Sequence, residues 1–305
     1  MPWGARDVVG LPGELLRSAE EFCRDELYSS MIYRALAEIE KDPHRRKLLE
    51  KIAEQEYEHY LFWRKLLGRD CSVGRPRVGL MAAGYRLLGP AFTLRLLERG
   101  ERETIRKYRE MLLHLPGAER AKLEEIIRDE KEHERRLLEE LEDARIKYLG
   151  YVALGLADAI VEITGVHTGF LGATSNTIVA GVAGLVVGFS AAMSMAGAAY
   201  IQAKHSKEEN PPVSAIVTGI SYILSVVLLA LPYFLTKSML LSFTASILVG
   251  ITLTGAFTYY STVIQEKPFT RELAESTALL LGTAAASYAF GELLGTILGI
   301  KGIIE

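Results

Sequence analysis

From residue 13 to 147, apolar side chains recur every three or four positions among charged ones, as in "DELYSSMIYRALAEIE" and "YEHYLFWRKLL". That spacing lays one apolar stripe along a 3.6-residue turn and predicts amphipathic helices. Pro43, "GRDCSVGRPRVG" and "LPGAER" interrupt the pattern and leave helices near 13–41, 43–67, 80–115 and 117–147. Short turns make each pair antiparallel, and a crossing linker joins the two hairpins, so a four-helix bundle is expected. At "DARIKYLGYVALGLADA" the pattern changes: charge stops and apolar residues run on. Five segments, about 149–172, 177–201, 213–236, 239–263 and 275–300, reach the ~20 residues a spanning helix needs. The expected fold class is all-α: a bundle over 1–147, then a five-helix transmembrane domain over 148–305.

Whole-chain values hide this step, since a net charge of -3 and 49% hydrophobic residues describe an ordinary globular protein. Residues 148–305 hold 6 Lys+Arg and 9 Asp+Glu, whereas 1–147 hold 29 of each. Lys and Arg favour the cytoplasmic side of short loops. Arg145, Lys147, Lys204, Lys207, Lys267 and Arg271 fall on one side of the five spans, Lys237 and Lys301 on the other. This expects a multi-pass protein of the cytoplasmic membrane, its N-terminal domain in the cytoplasm and its C-terminus outside. The N-terminus lacks a basic segment followed by an apolar one, so no cleaved signal peptide is expected. No basic patch points to nucleic acid as a partner. Cys23 and Cys71 form no CxxC pair and no disulfide framework, so a reducing compartment is the default and Cys23 reads as a small core residue.

Candidate chemistry in the first half rests on a repeat. "EQEYEHYLFW" sets Glu56 and His59 three apart, and "DEKEHERRLL" does the same with Glu130 and His133. Each pair shares one helix face. Glu26 lies seven residues before Tyr33, and Glu101 seven before Tyr108. The offset between hairpins is 75 for Glu26 to Glu101 and 74 for Glu56 to Glu130. A single Glu-x-x-His in a charged helix is usually chance, but a matched repeat predicts a two-metal site in the bundle core. Glu98, one turn before Glu101, is an extra or alternate ligand. Hard carboxylates with two imidazoles suit Fe or Mn. Tyr33, Tyr108, Tyr57, Tyr60, Phe62 and Trp63 read as packing.

In the apolar half, "GLADAIVEITG" places Asp158 and Glu162 on one face of the first span. Intramembrane carboxylates are costly and mark ion paths by default; the plainer alternative is a pair hydrogen-bonded to neighbouring helices. Met193 and Met195 in "AAMSMAGAAY" offer soft thioether ligands, and Glu292 in the fifth span is a third acid for the path. His167 lies roughly opposite Asp158 on the helix wheel and is not taken as a ligand. Glycines threading the first two spans read as sites of close helix contact.

"GLADAIVEITGVHTGFLGAT" followed by "SMAGAAYI" resembles the vacuolar iron transporter family, whose members have five spans and move ferrous or manganous ions. The first-span signature is carried by Asp158 and Glu162, the second by Ser194, Met195 and Tyr200. Ala199 stands where that family has Glu, and its metal-binding insert between spans two and three is replaced by "QAKHSKEENPP". Residues 13–145 resemble the rubrerythrin branch of the ferritin-like superfamily, in which paired Glu and Glu-x-x-His ligands hold two irons; the four-cysteine rubredoxin site is not in this sequence. The order of the two parts resembles the membrane-bound ferritins, which implies a ferritin-like bundle on a metal exporter. The resulting expectation is export of Fe2+ or Mn2+, coupled to protons, by a homodimer. The competing expectations are a membrane-anchored di-iron oxidase or peroxidase (a ferroxidase) and a sensor whose bundle gates a channel.

Overall fold

In a computed structural model of the chain, the structure describes residues 13–73, 76–139, 144–173, 176–206 and 210–297. The C-terminus, Lys301 and Lys207, all used in assigning sidedness, lie outside them. The described residues form eleven helices and no strand, and the chain divides into two compact units, Met1–Asp143 and Ala144–Glu305.

In the first unit, α1 (Gly13–Ile39) and α2 (Pro43–Leu67) form a hairpin. Its turn is set by local chemistry. Asp42 caps α2 by accepting from the His44 and Arg45 amides, and Pro43 sits where a helix needs no donor. Buried Glu40 accepts from the Asp42 amide, from Arg45 Nε at 2.7 Å and from the Tyr85 hydroxyl of α3 (Pro76–Leu88). The sequence pattern predicts one helix over 80–115; the structure breaks it into α3 and α4 (Pro90–Met111). Gly89 at φ 96° can turn where other residues would strain, and Pro90 has no amide to continue the ladder. The last helix of the unit, α5 (Gly117–Glu139), ends before residues 140–143, which lie outside the described residues, and the short α6 (Ala144–Lys147) opens the second unit.

One core joins α1, α2, α4 and α5: Phe22, Tyr60, Trp63, Tyr108, Met111, Leu123 and Ile126 are buried together. Phe22 meets the Tyr108 ring edge-on at 4.6 Å and lies 4.9 Å from the Trp63 ring. Cys23 is in this core, but not as a free thiol. It is bonded to Cys71 across 48 residues, so the expectation of two reduced cysteines is corrected. Their spacing carries no motif; the α1–α2 hairpin returns the chain past α1 and brings them together.

The second unit contains five helices long and apolar enough to cross a membrane: α7 (Leu149–Ala173), α8 (Thr177–His205), α9 (Pro211–Leu235), α10 (Met239–Gln265) and α11 (Phe269–Ile297). Asn176 and Ser238 cap α8 and α10 through their side chains. Helix α7 packs against all four others. Small residues allow this. A Cβ on Gly291 of α11 would lie 2.1 Å from the Gly169 carbonyl of α7, and one on Gly155 would lie 2.4 Å from the Thr218 carbonyl of α9. Hydroxyls stitch the helices further, Thr218 donating to the Tyr151 carbonyl and Ser246 to the Leu229 carbonyl.

Two predictions follow from these contacts. Gly291→Ala forces α7 and α11 apart and lowers the midpoint of thermal helix loss in detergent, by roughly 1–3 kcal/mol of stability; Gly282→Ala, with open space around it, leaves the midpoint in place. Reducing Cys23–Cys71 destabilises the bundle by about 4 kcal/mol, from closure of a 48-residue loop. Fluorescence of the buried Trp63, read with and without reductant, reports it.

Candidate metal centre

The stripe facing the bundle core contains charge. On α1, α2 and α5, Glu26, Glu56, His59 and Glu130 are all buried and each brings one ligand atom within 4.8 Å of the others. This group could hold a metal ion. His133 adjoins it, its Nδ1 hydrogen-bonded with Glu56 Oε1 at 3.1 Å and 3.6 Å from Glu130 Oε2. The two imidazole rings are 6.0 Å apart and nearly parallel. Glu98 is buried on α4, outside the group of four, where it accepts from the Tyr33 hydroxyl at 2.9 Å. Glu101 lies on α4, and its side chain falls outside the described residues. A cavity of ≈ 50 Å³ adjoins the group, its wall completed by Asp25, Ser29, Thr104 and Tyr108.

His59 carries the clearest sign of a cation site. Its Nδ1 is buried 3.0 Å from Glu130 Oε1 and 3.5 Å from Glu26 Oε2, yet makes no hydrogen bond among the described residues. Buried nitrogens of this kind are rarely left unpaired. On the other side of the ring, Nε2 donates to Asp129 at 3.3 Å, fixing Nδ1 toward the carboxylates. The residues therefore fit a metal ion, which would lie between the imidazole and the acids.

Electrostatics agree. Burial opposes a charge on His59, but its hydrogen bond to Asp129 and the nearby acids Glu130 and Glu26 outweigh that and hold its pKa well above the ordinary 6.5. Burial pushes Glu130 up, but His133 and His59 hold its carboxyl below the usual range. His59 likewise lowers Asp129. Burial, then Glu26 and Glu130, drive Tyr108 far above its ordinary value, so the phenol keeps its proton and donates it to Glu26. Tyr33 and Tyr108, read from the sequence as packing, are buried but also bond acids. Gln55 and Asp129 were missed, although they directly precede Glu56 and Glu130 and so extend the repeat by one position.

In the membrane unit Asp158 and Glu162 share one face of α7, both half-buried, and the Tyr222 hydroxyl of α9 donates to Glu162. Nothing in the sequence links Tyr222 to that acid; only the fold does. Met195 packs against the cluster containing Ala159, Ile163 and Tyr222. Met193, about 200° around the same helix, is 60% exposed and is not brought to that cluster. Glu292 is half-buried beside Gly291, which meets Gly169; that is ~16 Å along α7 from Asp158, so it does not join the acid pair. His167 is buried on α7 against Gly184 and the Tyr233 ring. Ala199 is buried against Tyr151 and Ala203.

Comparison with protein-family models, curated proteins and solved structures finds no match.

The His59 shift sets a pH dependence. A pKa raised on folding contributes stability that is complete below the unfolded value, near 6.5, and is lost as pH rises through the folded value. The chelator-treated full chain in detergent is therefore expected to lose bundle stability as pH rises above about 6.5. His59→Gln removes that slope. Trp63 fluorescence against temperature at a series of pH values measures both.

Proposed function

We propose that this protein exports a divalent metal, Fe2+ or Mn2+, from the cytoplasm across the cytoplasmic membrane, with the bundle as its capture site. The observation that carries the reading is the buried His59 Nδ1, without a hydrogen bond among the described residues and 3.0 Å and 3.5 Å from Glu130 and Glu26, in a chain that also holds an acid pair on an apolar helix. Carboxylates with imidazole match Fe2+ and Mn2+ in hardness, and no cysteine is among the four residues whose ligand atoms converge. The bundle is read as ferritin-like, of rubrerythrin type, and the membrane unit as similar to the vacuolar iron transporters, working as a homodimer.

The path in the membrane begins with Asp158 and Glu162. Carboxylates in an apolar unit bind a divalent cation in preference to remaining charged alone. Tyr222 holds Glu162 in place through its hydroxyl, and Met195 lies against the same cluster. Protons from the outer side neutralise the two acids and release the ion, which makes the exchange an antiport. Met193 serves this path only at an outward surface, where a second copy would cover it.

A second reading is a membrane-anchored ferroxidase. The hydrogen bond from buried Tyr108 to Glu26 favours it, because a phenol joined to a ligand of the metal can pass an electron. Oxygen uptake on Fe2+ addition in the absence of transport supports that reading.

The test is Fe2+ and Mn2+ flux in proteoliposomes. Wild type is expected to move metal faster when a proton gradient opposes it, and Asp158→Ala to fall to the level of empty vesicles. Glu56→Ala is expected to slow uptake at low metal concentration more than at saturation. Wild-type flux at the empty-vesicle level sinks the transporter reading; flux indifferent to the gradient removes only the antiport.

A further inference from the structure

The two histidines of the bundle are held by the same device, used crosswise. His59 on α2 donates its Nε2–H to Asp129 on α5 at 3.3 Å, and His133 on α5 donates its Nε2–H to Gln55 on α2 at 3.2 Å. Gln55 and Asp129 occupy equivalent places, each one residue before the glutamate of its Glu-x-x-His. They are not equivalent chemically. Asp129 is an anion, and an anionic acceptor makes the imidazole a stronger donor to a metal through its other nitrogen. Gln55 is a neutral amide and does less.

The inner nitrogens differ in the same sense. His59 Nδ1 has no hydrogen bond among the described residues and lies near two carboxylates. His133 Nδ1 is bonded to Glu56 Oε1 at 3.1 Å, and that bond must break before the nitrogen can bind an ion. The four residues whose ligand atoms converge include His59 and not His133.

We propose that the two metal positions of the bundle are unequal by construction: the His59 position fills first and holds its ion more tightly, and the Asp129/Gln55 difference sets the gap. The proposal rests on the reading of the bundle as a metal site. It assigns Asp129 and Gln55 as positioning residues that grade the affinities. An ion held firmly at one position and loosely at the other can be passed on from the loose one without emptying the site.

The experiment is titration of the chelator-treated full chain in detergent with Co2+, followed by calorimetry and visible absorption. Two steps are expected, the first at least about 10-fold tighter than the second, the low end of what an outer partner contributes. His133→Ala removes the weaker step and His59→Ala the tighter. Asp129→Asn, which keeps the side-chain shape, weakens the tighter step about 10-fold and spares the other. Gln55→Glu tightens the weaker step. The circular dichroism of each metal-free variant, equal to wild type at the temperature of the titration, shows that the fold is kept and that affinity has moved. Two equal steps in wild type, a tighter step lost with His133→Ala, or Asp129→Asn and Gln55→Glu leaving both steps unmoved overturns the proposal while the bundle remains a metal site. No Co2+ binding by wild type overturns both.

Discussion

Three buried carboxylates, Glu26, Glu56 and Glu130, whose oxygens come within 4.8 Å of one another, set the terms for the bundle. At an effective dielectric constant of ~20, each ionised pair at that distance repels by about 3 kcal/mol. Such a group persists only with positive charge among it or with strong bonds holding it in place. His59 supplies the first, and the bonds of His133 to Glu56 and of Tyr108 to Glu26 the second. The aromatic core below, with Phe22 and Trp63 around Tyr108, determines where that phenol can be. Glu40 and Asp42 fix the turn that sets α1 beside α2. The local chemistry of the first unit thus converges on placing acids where acids are unfavourable.

The membrane unit solves a related problem by other means. Its helices gain little from apolar burial in lipid, so close backbone contact and hydroxyl bonds hold them together. Helix α7 combines the two demands on shared stripes: Gly155 and Gly169 lie seven residues before and after Glu162, so the positions of close contact and an acid follow one line along the helix. The acid pair is held from a neighbouring helix through Tyr222. Buried Ala199 packs with Tyr151 and Ala203, so its surroundings are apolar.

Periodic patterning made the long elements legible. The apolar stretches after residue 148 announced five helices, and the Glu-x-x-His repeat pointed to Glu56, His59, Glu130 and His133. Local backbone chemistry overrides that pattern at Gly89–Pro90, which ends one helix and begins another although the apolar positions run on through it. What remained hidden depends on contacts between distant elements. Cys23 and Cys71 meet because a hairpin folds back, Tyr222 reaches Glu162 from another span, and Tyr33 bonds Glu98 across 65 positions. No spacing rule encodes such pairs, since they depend on which faces the helices turn to one another.

The Cys23–Cys71 bond divides the candidate metal centre topologically. Glu26, Gln55, Glu56 and His59 all lie between the two cysteines, inside one covalent ring, whereas Asp129, Glu130, His133 and Tyr108 come from chain outside it. The centre is thus a clasp between a closed loop and an open arm. If the arm formed by α4 and α5 loosens, the three candidate ligands Glu26, Glu56 and His59 stay gathered by the chain itself, so the route by which the centre opens is asymmetric: one half leaves and the other waits in place.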